Sequence, residues 1–310
     1  MAGAIAGTAI LRAPQQTEQI HTVALTVNNR CSLACPHCYL QYEGPSGDIE
    51  PEVVDSVLST PFQHLAIVGK EPFVDSTSIK IVESIVGRAR DAGKSVSVIT
   101  NGLSLTAVPD AVLGQLAYID VSLDGGPQSY RKYRHGSLTK LQSGLKRASR
   151  FVELNALHVM SSATLPNIDD MCSLDEVAPF RRVMFSPYLV TSNHGRNSVW
   201  PVSLSDLLTS LALSLRFRSH KNTLLLVDGL HLQASSQSAD AVLTQANTLG
   251  ILDKVNVIPS DPITKGFLRV NYDGLVLSPL DSLSPTYYAA CGSHVSHGSL
   301  ESIFARLRAA

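Results

Sequence analysis

Three of the five cysteines in this 310-residue chain fall within eight positions, at Cys31, Cys35 and Cys38. A [4Fe–4S] cluster usually takes four cysteine thiolates, so a loop that supplies three leaves one iron open to an exogenous ligand. An open iron can bind and activate a second molecule. The spacing therefore indicates an iron–sulfur centre that does chemistry, with these three thiolates as its metal ligands.

A structural zinc site is the alternative for the same cysteines. Its fourth ligand would be His37, Cys172, Cys291 or a distant histidine. Zinc sites favour paired Cys-x-x-Cys units, and the sequence contains no second pair. The iron–sulfur interpretation is therefore favoured, and the zinc site stays open as an alternative.

The run NRCSLACPHCYL, residues 29–40, follows an apolar stretch and resembles the cluster loop of radical S-adenosylmethionine (SAM) enzymes. It is most similar to the branch that carries a C-terminal SPASM or twitch region. The resemblance implies that the open iron chelates the amino and carboxylate groups of SAM. It also implies that one electron breaks the sulfonium to give methionine and a 5′-deoxyadenosyl radical, with an external donor such as a flavodoxin or ferredoxin.

Two further segments resemble SAM-binding motifs of this family. The turn VGKEP resembles the family's Gly-Gly-Glu-Pro turn, with Gly69 and Glu71 matching and Lys70 in place of the second glycine. The family's turn binds the SAM amino group, which implies that role for Gly69 and Glu71. The segment ITNG closes the third predicted strand and resembles a Thr-Asn-Gly of the same branch, which places Thr100 and Asn101 near the cofactor.

The segment VSLDG follows the fourth predicted strand and resembles the family segment that approaches the SAM ribose. Ser122 and Asp124 leave the strand on the same side, since residues i and i+2 share a face. The resemblance implies that a downstream arginine reaches the methionine carboxylate. Arg134 is the better match and Arg131 the second; a solvated basic helix face is the alternative for both.

Later positions supply weaker candidates for contact with cofactor or substrate. Ser161 and Asn167 lie in residues 161–168, which resemble the fifth-strand segment of this branch, and Asn167 is also a candidate helix N-cap. After the sixth predicted strand, the candidate substrate contacts are Tyr188, Asn193, His194 and Arg196.

The C-terminal region resembles a SPASM or twitch skeleton without its metal ligands. Residues 267–279 predict a hairpin with Asp273-Gly274 at the turn, and residues 298–304 predict a closing helix. Cys291 is the only cysteine after Cys172, and one thiolate cannot hold an auxiliary cluster in the usual way. We therefore expect one [4Fe–4S] cluster per chain.

A chain with a single cluster favours redox-neutral outcomes, in which the product radical is quenched by a hydrogen donor. Cys291 or Cys172 could donate that hydrogen, because a thiol S–H bond is weak enough. The alternative for each is a small buried hydrophobic side chain.

Seven apolar runs alternate with helical patterns, which predicts a parallel sheet because parallel neighbours need a helical crossover. The predicted strands are Thr22–Val27, His64–Val68, Ser95–Thr100, Tyr118–Leu123, Leu157–Ala163, Arg182–Tyr188 and Thr223–Val227. The predicted helix caps are Ser76 or Thr77, Ser137, and Ser203 or Ser205, with Gly93 ending the first helix. The resemblance implies an α/β fold, a partial (β/α)6 TIM-like barrel with a small C-terminal hairpin-plus-helix extension.

The expected organisation is an N-terminal lead-in over 1–20, the barrel over 21–230 and the extension over 231–310. A formal charge of −1 and a pI near 6.8 give no electrostatic footprint for nucleic acid or anionic membrane. No run of about 18 apolar residues predicts a membrane span. An oxygen-sensitive cluster and an odd cysteine count favour the cytoplasm.

The leading hypothesis is a radical SAM enzyme that abstracts hydrogen from a peptide or a specialised natural product. A small-metabolite or sugar epimerase or mutase is the second hypothesis. A non-catalytic binding module, built on a degenerate barrel or a structural zinc, is the third and belongs to a different class of protein.

Overall fold

The computed structural model describes residues 19–38, 46–174, 177–188, 199–220, 222–258, 266–277 and 293–309. The strands are β1 Thr22–Thr26, β2 His64–Val68, β3 Ser95–Thr100, β4 Tyr118–Ser122, β5 Glu153–Met160, β6 Arg182–Pro187, β7 Thr223–Asp228, β8 Val255–Ile258, β9 Phe267–Val270, β10 Leu275–Leu277 and β11 Ser293–His294. The helices are α1 Pro51–Leu58, α2 Ser76–Asp91, α3 Asp110–Leu113, α4 Tyr130–Arg134, α5 Leu138–Ala148, α6 Ile168–Cys172, α7 Leu204–Leu213, α8 Leu215–Ser219, α9 Gly229–Ser235, α10 Ala239–Thr248 and α11 Leu300–Ala309.

The strands form one open sheet in the order β11-β10-β9-β1-β2-β3-β4-β5-β6-β7-β8. Strands β1 to β8 are parallel and follow one another in chain order, and β9 joins the other side of β1, also in parallel. Such connections need crossovers, and helices between the strands supply most of them. The partial-barrel prediction is confirmed: the described strands form one sheet, mostly parallel, that is not closed into a full barrel.

Burial alternates along β4 because successive side chains point to opposite faces. In β4, Ile119 and Val121 are fully buried, whereas Tyr118, Asp120 and Ser122 are partly exposed. Val121 packs towards Leu141 of α5, since both contact the space beside Gly102. The face of β4 that carries Val121 is therefore covered by α5, and the opposite face of β4 is partly accessible to solvent.

Several predicted helix signals are confirmed. Ser137 and Ser203 accept hydrogen bonds from the backbone of Lys140 and Asp206, as N-caps do. Gly93 has a left-handed φ of 73° where α2 ends. The cap of α2 itself was predicted wrongly: Asp75 occupies it and accepts from Ser78 N, because a carboxylate one residue upstream serves the same backbone donors.

Other boundaries also differ from the predictions. Strand β5 begins at Glu153, four residues before the predicted start, because the polar residues early in the strand interrupt its apolar run. The predicted helix through Leu215 is broken by Ser214, whose hydroxyl caps α8. Strand β8 was not predicted, since four residues carry too little periodic signal.

The predicted C-terminal hairpin is confirmed in its described part. Strand β10 pairs antiparallel with β9, and Gly274 at the turn has a φ of 80°. The closing helix begins at Leu300 and packs Ile303 and Phe304 into the core. The hairpin contacts the segment after β1, since Asn29 Nδ2 donates to the hydroxyl of Tyr272 at 3.1 Å.

Some predictions fall on residues outside those described: Asn193, His194, Arg196 and Cys291. Within the described ranges, no helix is long and apolar enough to cross a membrane.

His158 generates a prediction about stability. It is 1% exposed, stacks on Phe185 at 5.1 Å, and neither ring nitrogen has a hydrogen-bond partner among the described residues. Burial lowers its pKa to about 4. The His158 ring is therefore protonated below about pH 6.5 in the unfolded chain but only below about pH 4 in the folded chain. Because the unfolded chain binds more protons between these values, folding stability falls as pH drops through that window.

We expect His158→Leu to be at least as stable as the wild type at pH 7, because it removes an unpaired buried polar group. Between pH 7 and pH 5 it should lose about 1–2 kcal/mol less than the wild type. Urea unfolding at both pH values measures this, and identical pH dependence in the two proteins would contradict it.

Candidate active site

The carboxyl ends of β1 to β4 lie side by side at one edge of the sheet, because the strands are parallel and in register. The loop after β1 holds Cys31, Cys35 and Cys38, with Cys35 buried and the other two partly exposed. The segments after β2, β3 and β4 bring Glu71, Asn101 and Asp124 to the same edge. There Asn101 contacts Cys31, Glu71 contacts Asn101, and Asp124 contacts His37 of the loop.

Arg30 anchors the start of the cysteine loop. Its guanidinium donates to Asp48 at 2.6 and 2.8 Å, pairs with Asp75, and donates to Ser78 Oγ at 2.9 Å. Asp75 is the N-cap of α2, so the residue next to Cys31 is tied to the first turn of that helix. Sequence reasoning missed Arg30, because a single arginine beside a cysteine carries no signal that distinguishes it from a surface cation.

Asn28 joins the loop to the turn after β2. Its Nδ2 donates to the carbonyl of Glu71 at 3.0 Å, and its Oδ1 accepts from the Arg30 backbone. Gly69 has a φ of 158°, and a Cβ on it would lie 3.2 Å from the carbonyl oxygen of Asn28. The first glycine of the VGKEP turn thus permits a close approach between two loops.

The sulfur atoms of Cys31 and Cys35 accept hydrogen bonds from N–H groups. Cys31 Sγ accepts from Leu33 N at 3.3 Å and from Asn101 Nδ2 at 3.7 Å. Cys35 Sγ accepts from the guanidinium of Arg134 at 3.6 Å. Burial raises the pKa of Cys35 to about 11, against the opposing charge of Arg134.

Three thiols in one loop, with N–H donors aimed at two of them, fit an iron–sulfur cluster. N–H donors aimed at cysteine sulfur are the contacts by which proteins tune such clusters, and bound metal deprotonates its thiol ligands. No group of three or more His, Cys, Asp or Glu within the described ranges could hold a single metal ion. The candidate zinc ligand His37 faces Asp124 instead, with Nε2 2.6 Å from Oδ2.

Glu71 links the ends of β2 and β3. It is fully buried; its Oε1 accepts from Thr100 Oγ1 at 2.6 Å and Phe73 N at 3.0 Å, and its Oε2 accepts from Asn101 N at 2.7 Å. Desolvation raises its pKa, and these donors oppose that effect. The structure therefore brings together Gly69, Glu71, Thr100 and Asn101, and contact of these residues with SAM stays a prediction.

Asp124 is the centre of a buried charge network. Its side chain is 0% exposed, pairs with Arg134 and His37, and accepts from Val159 N at 2.6 Å. These partners hold the pKa of the carboxyl well below its usual range despite burial. Asp124 therefore connects β4, β5, α4 and the cysteine loop. Contact of Asp124, and of the partly exposed Ser122, with the SAM ribose stays a prediction.

Two glycines after Asp124 allow this loop to approach the start of α4 and the backbone of α6 closely. A Cβ on Gly125 would lie 2.5 Å from Tyr130 N, and one on Gly126 would lie 1.7 Å from Asp170 O. The Asp170 carboxylate accepts from the backbone of this loop, including Ser129 N at 2.9 Å. The Asp-Gly-Gly sequence thus seats the helix that carries Arg134.

The remaining predicted residues have these positions. Ser161 is buried and its backbone donates to Thr164 Oγ1, whereas Asn167 donates to the Tyr133 hydroxyl at 2.7 Å and caps no helix with its side chain. Arg131 is exposed, which suits its solvated alternative. Tyr188 is 8% exposed at the end of β6.

Cys172 and the C-terminal histidines lie in structural settings. Cys172 is 3% exposed in α6, within the helix layer, and burial raises its pKa to about 12. His294 and His297 form a capping box beside the hairpin turn, where His294 Nε2 lies 2.8 Å from Asp273 O.

Comparison with known proteins bears on this geometry. Residues 25–172, just under half of the chain, match the sequence profile of the Radical SAM superfamily. SuiB from Streptococcus suis bound to S-adenosylmethionine has a TM-score of 0.68 at 11% identity, over 93% of this chain and 66% of that one. SuiB bound to its precursor peptide SuiA gives 0.67 at 10% identity, over 93% of this chain and 65% of that one.

A third structure, anSMEcpe with bound AdoMet and the Cp18Cys peptide, gives a TM-score of 0.59 at 17% identity, over 92% of this chain and 80% of that one. This chain thus spans slightly less than two thirds of the length of SuiB. No curated protein matches it by sequence.

The fold is that of the open α/β barrels found in these SAM-binding proteins, with three cysteines in the loop after its first strand. Residues 25–172, which contain this loop and the segments after β2, β3 and β4, are thus similar to the Radical SAM superfamily.

The Asp124–Arg134 pair generates a prediction. Their side chains are 0% and 13% exposed, so Asp124→Asn leaves a buried cation without its partner. We expect each of Asp124→Asn and Arg134→Gln to destabilise the fold by about 3–5 kcal/mol. The double variant should cost far less than the sum, because it buries no unpaired charge. Denaturant unfolding of all four proteins tests this coupling, and additive costs would contradict it.

Proposed function

We propose that this protein is a radical SAM enzyme that abstracts hydrogen from a peptide or a specialised natural product. Cys31, Cys35 and Cys38 would hold one [4Fe–4S] cluster. The observation that carries the proposal is the convergence of this three-thiol loop with the segments after β2, β3 and β4. When bound, cluster and SAM supply a 5′-deoxyadenosyl radical by one-electron cleavage of the sulfonium.

The residues around the loop would hold and orient SAM. Glu71 has one lone pair of Oε2 beyond its bond to Asn101 N, which could accept from the SAM amino group. Ser122 is partly exposed at the carboxyl end of β4, beside the ribose position that the family resemblance implies. Arg134 retains one unused donor, Nε, for an anionic group.

The substrate is expected at the carboxyl edge of the strands, next to the cysteine loop, because parallel α/β barrels hold their active sites at that edge. Structures of SuiB and anSMEcpe with bound peptides support a peptide as the first class to test.

The proposal predicts cofactor-dependent cleavage of SAM. After anaerobic reconstitution, we expect about four iron and four sulfide per chain. Incubation with SAM and dithionite should yield methionine and 5′-deoxyadenosine, followed by liquid chromatography and mass spectrometry. Replacing Cys31, Cys35 or Cys38 with Ala should abolish both cluster and cleavage, because the cluster then has two thiolates.

Cys172→Ala is the matched control, since it removes a buried thiol from α6 outside the loop. It should keep full iron content and SAM cleavage. Stoichiometric zinc in place of iron, or cleavage retained in a variant of the three loop cysteines, would sink the proposal.

A further inference from the structure

Three leucines on one side of the protein are exposed to solvent. Leu213 and Leu215 flank Ser214 at the junction of α7 and α8 and are 78% and 75% exposed, and Leu252, between α10 and β8, is 43% exposed. Single exposed apolar side chains are common on protein surfaces and need no explanation. A group of them indicates a contact surface, because covering it removes apolar area from water.

A surface cavity of about 420 Å³ joins the two segments that carry these leucines. Its lining comes from α8 and from the connection between α10 and β8, and includes Leu215, Arg218, Gly250, Ile251, Asp253 and Lys254. The space beside Gly250 is open, since a Cβ on it would meet no atom within 4 Å. The cavity therefore has room for a side chain that another molecule supplies.

Lys254 ties the two sides of the cavity together. Its Nζ donates to the carbonyl of His220 at 2.7 Å and to Thr223 Oγ1 at 3.2 Å, where the chain passes from α8 to β7. Ile251 is 1% exposed, so the connection between α10 and β8 is also packed into the core. A surface whose shape is fixed in this way loses little conformational entropy when it binds a partner.

The cavity also carries one charge of each sign. Arg218 and Asp253 both line it, and neither side chain forms a hydrogen bond or ion pair among the described residues. A partner that covers the patch has to offer an apolar surface, an anion opposite Arg218 and a cation opposite Asp253. A second copy of this chain offers all three, because across a two-fold axis residue i meets residue j and j meets i.

We propose that this patch, which consists of Leu213, Leu215, Arg218, Leu252 and Asp253 around the cavity, is the interface of a two-fold dimer. The leucines pack across the axis, and Arg218 of each copy pairs with Asp253 of the other. The patch is much smaller than the about 20–30 residues that each partner contributes to a stable interface, so the dimer is weak and forms at high protein concentration.

The position of the patch leaves the candidate active site open. Helix α8 precedes β7 and the Gly250–Lys254 connection precedes β8, so the patch lies at the amino ends of these strands. The cysteine loop follows β1 at the carboxyl edge, on the opposite side of the sheet. The dimer is therefore independent of the proposed function, and SAM cleavage should not depend on it.

Sedimentation equilibrium of the full chain, over about a hundredfold range of protein concentration, tests the proposal. We expect a monomer–dimer equilibrium in the wild type. Leu215→Glu should raise the dimer Kd about tenfold or more, because it removes a buried apolar side chain from both halves of the interface. Leu213→Glu provides a second, independent variant.

Trp200→Glu is the matched control for these variants. Trp200 is 55% exposed, and its carbonyl accepts from Ser162 N at 2.9 Å, just beyond the carboxyl end of β5. It is an exposed apolar side chain at the edge opposite the patch, so its replacement should leave the Kd of the dimer unchanged. Circular dichroism of each variant checks that the chain is folded.

Charge reversal tests the two-fold pairing. Arg218→Asp and Asp253→Arg each place like charges opposite one another twice per dimer, so each should raise the Kd about threefold or more at low salt. The double variant should return the Kd to near the wild-type value, because the same pairs form with reversed polarity. Added salt should weaken the wild-type dimer and the double-variant dimer alike.

A wild-type chain that stays monomeric over the whole range would overturn the proposal. A dimer whose Kd is unchanged in the folded variants Leu215→Glu and Leu213→Glu would place the interface elsewhere on the surface and also overturn it. If the double charge reversal is no better than the single ones, Arg218 does not pair with Asp253 of the second copy and the two-fold arrangement is wrong.

Discussion

The parallel hydrogen bonding of each strand from β1 to β5 with the next is the constraint on which the rest of the structure depends. It forces every one of these strands to end at the same edge. Side chains that are 30 to 100 residues apart in the chain then meet, as Arg134 does with Cys35 and Asn101 with Cys31. An antiparallel sheet would send alternate loops to the opposite edge and divide the site.

Two buried carboxylates convert that edge into a connected site. Glu71 joins the turn after β2 to the end of β3, and Asp124 joins β4 and β5 to α4 and to His37 in the cysteine loop. Burying a carboxylate costs free energy unless hydrogen-bond donors or cations surround it. Each of these two carboxylates therefore fixes the relative positions of the backbone segments that supply its partners. The loop that would hold the cluster is thus positioned by charge as well as by packing.

Similar residues differ in the contacts that their polar atoms make. Tyr130 and Tyr133 are both buried in α4, yet the Tyr133 hydroxyl is paired with protein and the Tyr130 hydroxyl has no partner among the described residues. Cys172 is buried like Cys35, but it lies in α6, outside the loop. Residue type and burial alone therefore do not show how a side chain is used; its hydrogen-bond partners do.

Most of the elements were predictable from the sequence, which also indicated the chemistry of the cysteine loop. Alternating apolar runs predicted seven strands, cap residues marked Ser137, Ser203 and Gly93, and the cysteine spacing indicated a cluster with an open iron. Local signals suffice there because periodicity, capping and ligand spacing are properties of short segments.

How the site residues use their hydrogen bonds follows from the three-dimensional arrangement and is not readable from the sequence. Arg30 became the anchor of the loop, Asp124 the partner of His37 and Arg134, and Tyr130 the bearer of an unpaired hydroxyl. Those outcomes depend on which distant groups a side chain meets after the strands align. No short segment of sequence records such encounters, because hydrogen bonds and ion pairs form between atoms that are close in space, whatever their separation along the chain.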